Sequence, residues 1–149
     1  MSSNVTDRAA VRSQLATLLA SALVGAGKPA QAVYAYQVGD FDKLSPVIVV
    51  TGAGTGRGNP LITDPTDFFL DVHTFVLYAT EDGGWTEQQS EDRLDLLEKS
   101  ISDVIKDAND SGLWESIVPN GESQIDGLEI GGLEYRHEVI PVRVVVQDF

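Results

Sequence analysis

The sequence predicts an α+β domain in which a mostly antiparallel sheet packs against two helices. Three observations predict it: two segments with helical spacing of apolar residues, extended segments between and after them, and glycine-containing turns near the C-terminus. A length of 149 residues fits a single domain over residues 1–149. The expected order is helix, three strands, helix, then two or more strands, which gives a sheet of four to five strands.

The first helix is predicted over residues 7–24, with Thr6 as its N-cap. Glycine and proline residues between positions 25 and 29 end the pattern. Its apolar stripe consists of Val11, Leu15, Leu18, Leu19, Ala22 and Leu23.

Three extended runs follow, at residues 31–38, 46–51 and 68–79. In the third run, apolar residues at even positions alternate onto one face, while Asp71 and His73 fall on the other. The glycine-rich segment between the second and third runs, roughly residues 52–66, is therefore predicted to be a long loop between antiparallel strands.

The second helix is predicted over residues 86–110, with acidic faces around one apolar stripe. Strands are expected at residues 114–118 and 133–147, with Trp114 in the core and turns at positions 120–121, 126–127 and 131–132. The stripe of the helix consists of Leu94, Leu97, Ile101, Val104, Ile105 and Ala108.

Composition excludes several classes of function. With 10 basic and 23 acidic residues, the net charge of −13 opposes binding to nucleic acid or to anionic membranes. The chain has no cysteine, so neither disulfides nor thiolate metal sites can form. No apolar run is long enough to span a bilayer, and the polar N-terminus is unlike a secretory signal, so we expect a soluble, intracellular protein.

Residues 51–58, TGAGTGRG, fit the glycine pattern of the short-chain dehydrogenases and follow an apolar run. That motif needs a helix directly after the glycines to hold the pyrophosphate, but Pro60 and Pro65 oppose one. The Tyr-x-x-x-Lys pair of those enzymes is missing, and so is a P-loop. A small nucleotide-binding domain using residues 51–58 remains the alternative reading, and we expect no cofactor and no enzymatic activity.

Two histidines, His73 and His137, are the neutral-pH acid–base candidates. Asp71 lies near the first, and Glu134 and Glu138 lie near the second. A two-ligand metal site or a catalytic site could form from them only if their strands are neighbours. With so many carboxylates in the chain, chance proximity is the simpler interpretation.

The whole chain resembles the tail terminator proteins of long-tailed bacteriophages. The resemblance lies in the N-terminal amphipathic helix, the strand at 68–79 with the loop and helix of 83–110, and the C-terminal segment EYRHEVIPVRVVV, residues 134–146. Other phage neck or head–tail completion proteins would show much the same features.

The resemblance implies a structural virion protein that forms a ring, commonly a hexamer, on the tail tube. Such a ring stops tail polymerisation and provides the interface to the head–tail connector or stopper protein, so the location is the tail or neck after assembly in the host cytoplasm. An acidic ring lumen would let genomic DNA pass without specific binding. The candidate ring or tube interface consists of Gly52, Gly54, Gly56, Arg57, Gly58, Asn59 and Trp85. The simpler interpretation of Arg57 is a solvated loop charge, and that of Trp85 is a hydrophobic staple for the second helix.

Overall fold

The computed structural model describes residues 7–39, 41, 44–57, 66–77, 86–108 and 114–146. These residues form two helices and a six-stranded, mostly antiparallel sheet, which confirms the α+β class. Within the same ranges no helix is long and apolar enough to cross a membrane. In chain order the elements are α1 Arg8–Leu23, β1 Ala32–Tyr34, β2 Val47–Arg57, β3 Thr66–Leu77, α2 Glu87–Asp107, β4 Ser116–Pro119, β5 Gln124–Ile130 and β6 Leu133–Val146.

The sheet is centred on β3 and β6, which pair antiparallel from Thr66 opposite Val146 to Leu77 opposite Tyr135. On the other side of β3 lies β2, also antiparallel, and the short β1 pairs parallel with the first part of β2. The outer edge of β6 carries two strands in succession, because β5 pairs with its first half and β4 with its second half. The β6 strand therefore pairs with three other strands, β3, β4 and β5.

Both helices cover one face of the sheet. Leu15 and Leu19 of α1 and Leu97 and Ile101 of α2 are fully buried there, against alternate residues of the strands. The predicted stripe of α2 is confirmed, with Val104 partly buried and its other members buried. The stripe of α1 is confirmed except at Ala22, which is exposed.

A second, smaller apolar cluster lies on the opposite face of the sheet. The Tyr135 ring meets Phe41 edge to face at a centroid distance of 5.5 Å, and the Tyr135 hydroxyl donates a hydrogen bond of 3.3 Å to the Leu44 carbonyl. Phe41 and Leu44 thereby pack against this face of the sheet. The buried members of the cluster are Phe41, Val47, Val49, Phe75, Leu77, Ile130 and Tyr135.

The prediction of a loop from Gly52 onwards is wrong, because β2 continues through the glycines to Arg57. Glycine permits this strand to pass under α1, since a Cβ on Gly52 would lie 3.2 Å from Arg8 Nε. A register shift between Gly52 and Gly54, where Gly54 has a φ of 137°, accommodates a bulge that other residues adopt with strain.

Three further details in the C-terminal part of the chain can be compared with the sequence-based expectations. The turn predicted at 126–127 is wrong, since Gly127 lies inside β5. The turn at Gly131 and Gly132 is confirmed, and both residues have positive φ and connect β5 to β6. Trp114 is buried as predicted, and its indole N–H donates a 2.8 Å hydrogen bond to the Ala108 carbonyl at the end of α2.

Both helices begin with a side-chain cap. The N-cap of α1 is Asp7 rather than Thr6, and the Asp7 carboxylate accepts a hydrogen bond of 2.8 Å from the Ala10 amide. In α2 the Thr86 hydroxyl accepts from the Gln89 amide at 3.0 Å, and the Gln89 side chain accepts from the Thr86 amide at 2.8 Å. This reciprocal capping box satisfies two amides that would otherwise lack partners within the helix.

Replacing Thr86 by alanine should lower the free energy of unfolding by about 1 kcal/mol, because the Gln89 amide loses its acceptor. Urea denaturation followed by circular dichroism measures this loss. Thr86→Ser retains the hydroxyl and is the matched control, for which we expect little change. Equal losses in the two variants would contradict a capping role for the hydroxyl.

Candidate functional site

Four polar side chains form a hydrogen-bonded line on the sheet face that points away from the helices. Thr51 Oγ1 lies 2.9 Å from His73 Nε2, and His73 Nδ1 lies 2.9 Å from His137 Nε2. His137 Nδ1 then lies 2.8 Å from Asp126 Oδ1. We call these four residues the histidine network, and it crosses β2, β3, β6 and β5 in turn.

The strand register explains why these residues meet. His137 is directly opposite Asp126 on β5 and directly opposite Phe75 on β3. His73, two residues before Phe75, is therefore the diagonal neighbour of His137 on the same face. Thr51 lies on β2, opposite Asp71 of β3. It is therefore the diagonal neighbour of His73 on the same face. A shift of any of these pairings by one residue would turn a member of the network to the other face.

The two imidazoles are packed against an aromatic ring. The rings of His73 and His137 are nearly parallel, with an interplanar angle of 7° and a centroid distance of 5.2 Å. The Phe75 ring stacks on His137 at 4.6 Å. This packing shields one side of the histidine pair from water, whereas the Asp126 side chain at the end of the network is 65% exposed.

The hydrogen bonds determine the tautomers when both histidines are neutral. The Asp126 carboxylate can only accept, so His137 Nδ1–H donates to it and His137 Nε2 becomes an acceptor. His73 Nδ1–H then donates to His137, which leaves His73 Nε2 to accept from the Thr51 hydroxyl. All three hydrogen bonds in the neutral network therefore point from Thr51 towards Asp126.

Burial lowers the pKa of His73 below its ordinary value of 6.5, and repulsion from a protonated His137 lowers it further. The carboxylates of Asp71 and Asp126 act in the opposite direction but do not outweigh these two effects. His73 is consequently neutral at physiological pH, as the tautomer assignment requires.

This arrangement can bind and transmit protons. It resembles the carboxylate, imidazole and hydroxyl groups that hydrogen-bond in series in nucleophilic enzymes, with a second imidazole between the first imidazole and the hydroxyl. As a nucleophile, however, Thr51 is poorly placed, because it lies within a strand and its hydroxyl is only partly exposed. The facing histidine nitrogens bond each other, and the described residues contain no group of three or more histidine, cysteine, aspartate or glutamate side chains that could hold a metal ion.

The two histidines could share a site only if their strands are neighbours, and β3 and β6 are neighbours in the sheet. Glu138 is excluded from the network because its side chain points to the helix face, and Glu134 is exposed on that same face. Sequence reasoning missed Thr51 and Asp126 as partners. The available signal was the alternation of β6, which places His137 and Tyr135 on one face, but the pairing of β5 with β6 was required to place Asp126.

The residues predicted to form a ring interface are not part of this site. Gly52, Gly54 and Gly56 lie in β2, and Arg57 is its last residue. Near them, Arg8 Nη1 donates a hydrogen bond of 2.9 Å to Thr55 Oγ1. The other predicted positions, at 58, 59 and 85, lie outside the described residues.

Glu138 is a second titratable group in an unusual environment. Its residue is only 4% exposed, and its carboxylate accepts a hydrogen bond of 2.8 Å from the Ser123 hydroxyl. Burial raises the pKa of Glu138 despite this hydrogen bond, and the nearby carboxylates of Glu98 and Asp95 add to the increase. Ionised Glu138 therefore costs stability in the folded protein.

Glu138→Gln should raise the melting temperature by a few degrees at about pH 8, because glutamine keeps an acceptor for Ser123 without the buried charge. The folded-state pKa is raised, so wild type regains this stability as the pH falls through that pKa towards 4.5 and the advantage of the variant disappears. Glu115→Gln, at an exposed position, is the matched control. A gain that did not vary with pH would contradict the assignment to the ionised carboxylate.

Comparison with known proteins does not supply a family for this chain. A scan against protein-family models finds no match, and a search of curated proteins finds none either. Inference about function therefore depends on the fold and on the contacts of the described residues.

Proposed function

We propose that the chain is a ring-forming structural protein of a long-tailed bacteriophage, with the role of a tail terminator. In this role a ring of subunits, commonly six, caps the tail tube and provides the surface on which the head–tail connector or stopper protein docks. The resemblance of the sequence suggested this role, and the α+β architecture with two helices on one sheet face agrees with it. The observation that supports ring formation most directly is that, among the described residues, β5 and half of β2 each have one edge without a pairing partner.

The first open edge is β5. Six of its seven residues are exposed, and within the described residues it pairs with β6 alone. The exposed side chains include Ile125 at 48% and Leu128 at 41%, and the strand contains neither lysine nor proline. Natural proteins protect isolated edges with such residues, so an edge that lacks them and exposes apolar side chains is suited to pairing with another strand.

The second open edge is the glycine-rich half of β2. The β1 strand pairs with β2 only from Val47 to Val49, and from Val50 to Arg57 the described partner of β2 is β3 alone. The glycines along this part let another backbone approach closely. This segment contains the glycines of the predicted interface, but it is the edge of a strand and not a loop.

The two edges are different surfaces with complementary charge. Asp126 and Glu129 make β5 acidic, whereas the exposed Arg8 lies beside the β2 edge and contacts Thr55. Pairing of β5 in one subunit with β2 in the next is a head-to-tail contact, and such contacts produce a closed ring when the rotation between subunits permits it. We infer that this is how the subunits associate.

The nucleotide-binding alternative has less support from the fold. A dinucleotide site is built on a strand, a helix and a second, parallel strand. Here β2 and β3 are consecutive and antiparallel, and only positions 58–65 lie between them. The glycines of residues 52–56 instead accommodate Arg8, the bulge and the Phe69 ring.

Native mass spectrometry of the full chain, with and without NAD(P), tests the proposal. We expect a ring mass without nucleotide adducts, and electron microscopy of tail tubes mixed with the protein should show capped ends. A monomer at all concentrations that also fails to cap tubes, or a monomer that binds NAD(P), would overturn it.

Ile125→Lys should weaken association between subunits roughly tenfold or more, because it places a positively charged, strongly hydrated group on the edge that is proposed to pair with the β2 edge beside Arg8. The matched control is Leu96→Lys on α2, whose side chain is 45% exposed and lies away from both edges. Sedimentation velocity measures the effect on assembly, and circular dichroism confirms that each variant is folded. Equal weakening in the two variants would rule out β5 as the specific contact.

A further inference from the structure

We propose that the histidine network is a binding site for a single proton, and that uptake of this proton reverses the direction of two of its three hydrogen bonds, those between Thr51 and His73 and between His73 and His137. The inference stands on the three contacts of 2.8–2.9 Å that join Thr51, His73, His137 and Asp126. It goes beyond the structural role, because it assigns a chemical function to side chains that ring formation alone does not require.

In the neutral network the pattern of donors leaves no choice of tautomer. Both histidines carry their hydrogen on Nδ1, since the line of donors ends at the Asp126 carboxylate. This state is diagnostic, because an isolated neutral histidine in water favours the hydrogen on Nε2.

One added proton is compatible with all three contacts. If His137 is protonated, its Nε2–H donates to His73 Nδ1, and His73 then carries its hydrogen on Nε2 and donates to the Thr51 oxygen. The Thr51 hydroxyl changes from donor to acceptor, and the contact between His137 and Asp126 becomes an ion pair. A second proton would place two N–H groups against each other between the imidazoles and break their hydrogen bond.

The charged groups around the network agree with uptake of one proton. The carboxylates of Asp71 on β3 and Asp126 on β5 favour one positive charge on the imidazoles. Burial and repulsion between the two rings oppose a second positive charge. β2 contributes the uncharged Thr51 to the network, and on β6 the nearest titratable residue on the same face is Tyr135, whose hydroxyl bonds the Leu44 carbonyl. Arg143, further along β6, is paired with Asp67 at 3.0 Å.

Proton uptake has a consequence for β5. An Asp126 carboxylate paired with an imidazolium holds β5 on β6 more strongly than one bonded to a neutral imidazole. Because Thr51 and Asp126 lie on strands with open edges, the reversal also links the two surfaces proposed to pair in the ring. This last consequence rests on the proposed function, whereas the proton site itself does not.

Nitrogen NMR of the histidine rings, recorded on the full chain between about pH 8 and pH 5, tests the site. We expect both rings to carry hydrogen on Nδ1 at the high end, and then two coupled steps, the second clearly below the usual histidine range. The contribution of His73 to stability has a definite sign: because burial lowers the pKa of His73, this contribution is lost as the pH falls below 6.5 towards that pKa. Two independent, ordinary titrations, or hydrogen on Nε2 in both rings, would overturn the proposal.

A matched pair of variants separates the site from general charge effects. Asp126→Asn keeps an acceptor for His137 but removes the charge, so the first step should move to lower pH by roughly half a unit or more. Glu129→Gln removes the same charge from the same strand at a position opposite Glu134, and it should leave both steps unchanged. Equal shifts in the two variants would show that net charge, and not the contact, governs the titration.

Hydrogen exchange of the β5 amides provides an independent measurement. After correction for intrinsic rates, protection of β5 should increase when the first proton binds in wild type and in Glu129→Gln, but not in Asp126→Asn. No change in wild type would exclude the effect on β5. These measurements do not depend on a ring, so failure to assemble would refute the proposed function and leave the proton site standing.

Discussion

The antiparallel pairing of β3 with β6 is the constraint on which the rest of the structure depends. It joins residues far apart in sequence over twelve positions in continuous register. Even-numbered residues of both strands face the helices and odd-numbered residues face the other side. A slip of one residue would move Leu70 or Val142 out of the main core and would separate His73 from His137. The same register therefore fixes the hydrophobic core and the histidine network.

Elements whose pattern is local could be predicted from the sequence. The α2 stripe, the alternation of β3 and the turn at Gly131 each follow from neighbouring residues, and all agree with the structure. The strand β5 could not be predicted in the same way. Its sequence includes an Asp-Gly pair that signals a turn, and it is extended because β6 offers a partner along seven residues. The histidine contacts likewise needed the pairing order, which no local pattern contains.

The glycine-rich segment shows why a motif needs its structural context. The letters of residues 51–58 match a dinucleotide-binding pattern, yet the property they share with it is only the absence of side chains. In a dehydrogenase that absence lets a pyrophosphate approach a helix N-terminus. In this chain it lets Arg8 and the Phe69 ring lie close to β2 and permits the bulge at Gly54. The antiparallel orientation of β3 relative to β2 distinguishes this use of the glycines from their use in a dehydrogenase.

Charge sets a further condition on any assembly of this protein. A subunit with a net charge of −13 repels its copies, so a ring can form only where local contacts outweigh that repulsion. Much of the acidity lies on the outer faces of α2, whereas the helix-free side of the sheet contains the second apolar cluster. Arg8 beside the β2 edge can meet the acidic β5, and proton uptake by the histidine pair adds one positive charge next to β5. The distribution of charge thus favours contact through strand edges over contact through helices, and salt should strengthen association by screening the general repulsion more than the local pairing.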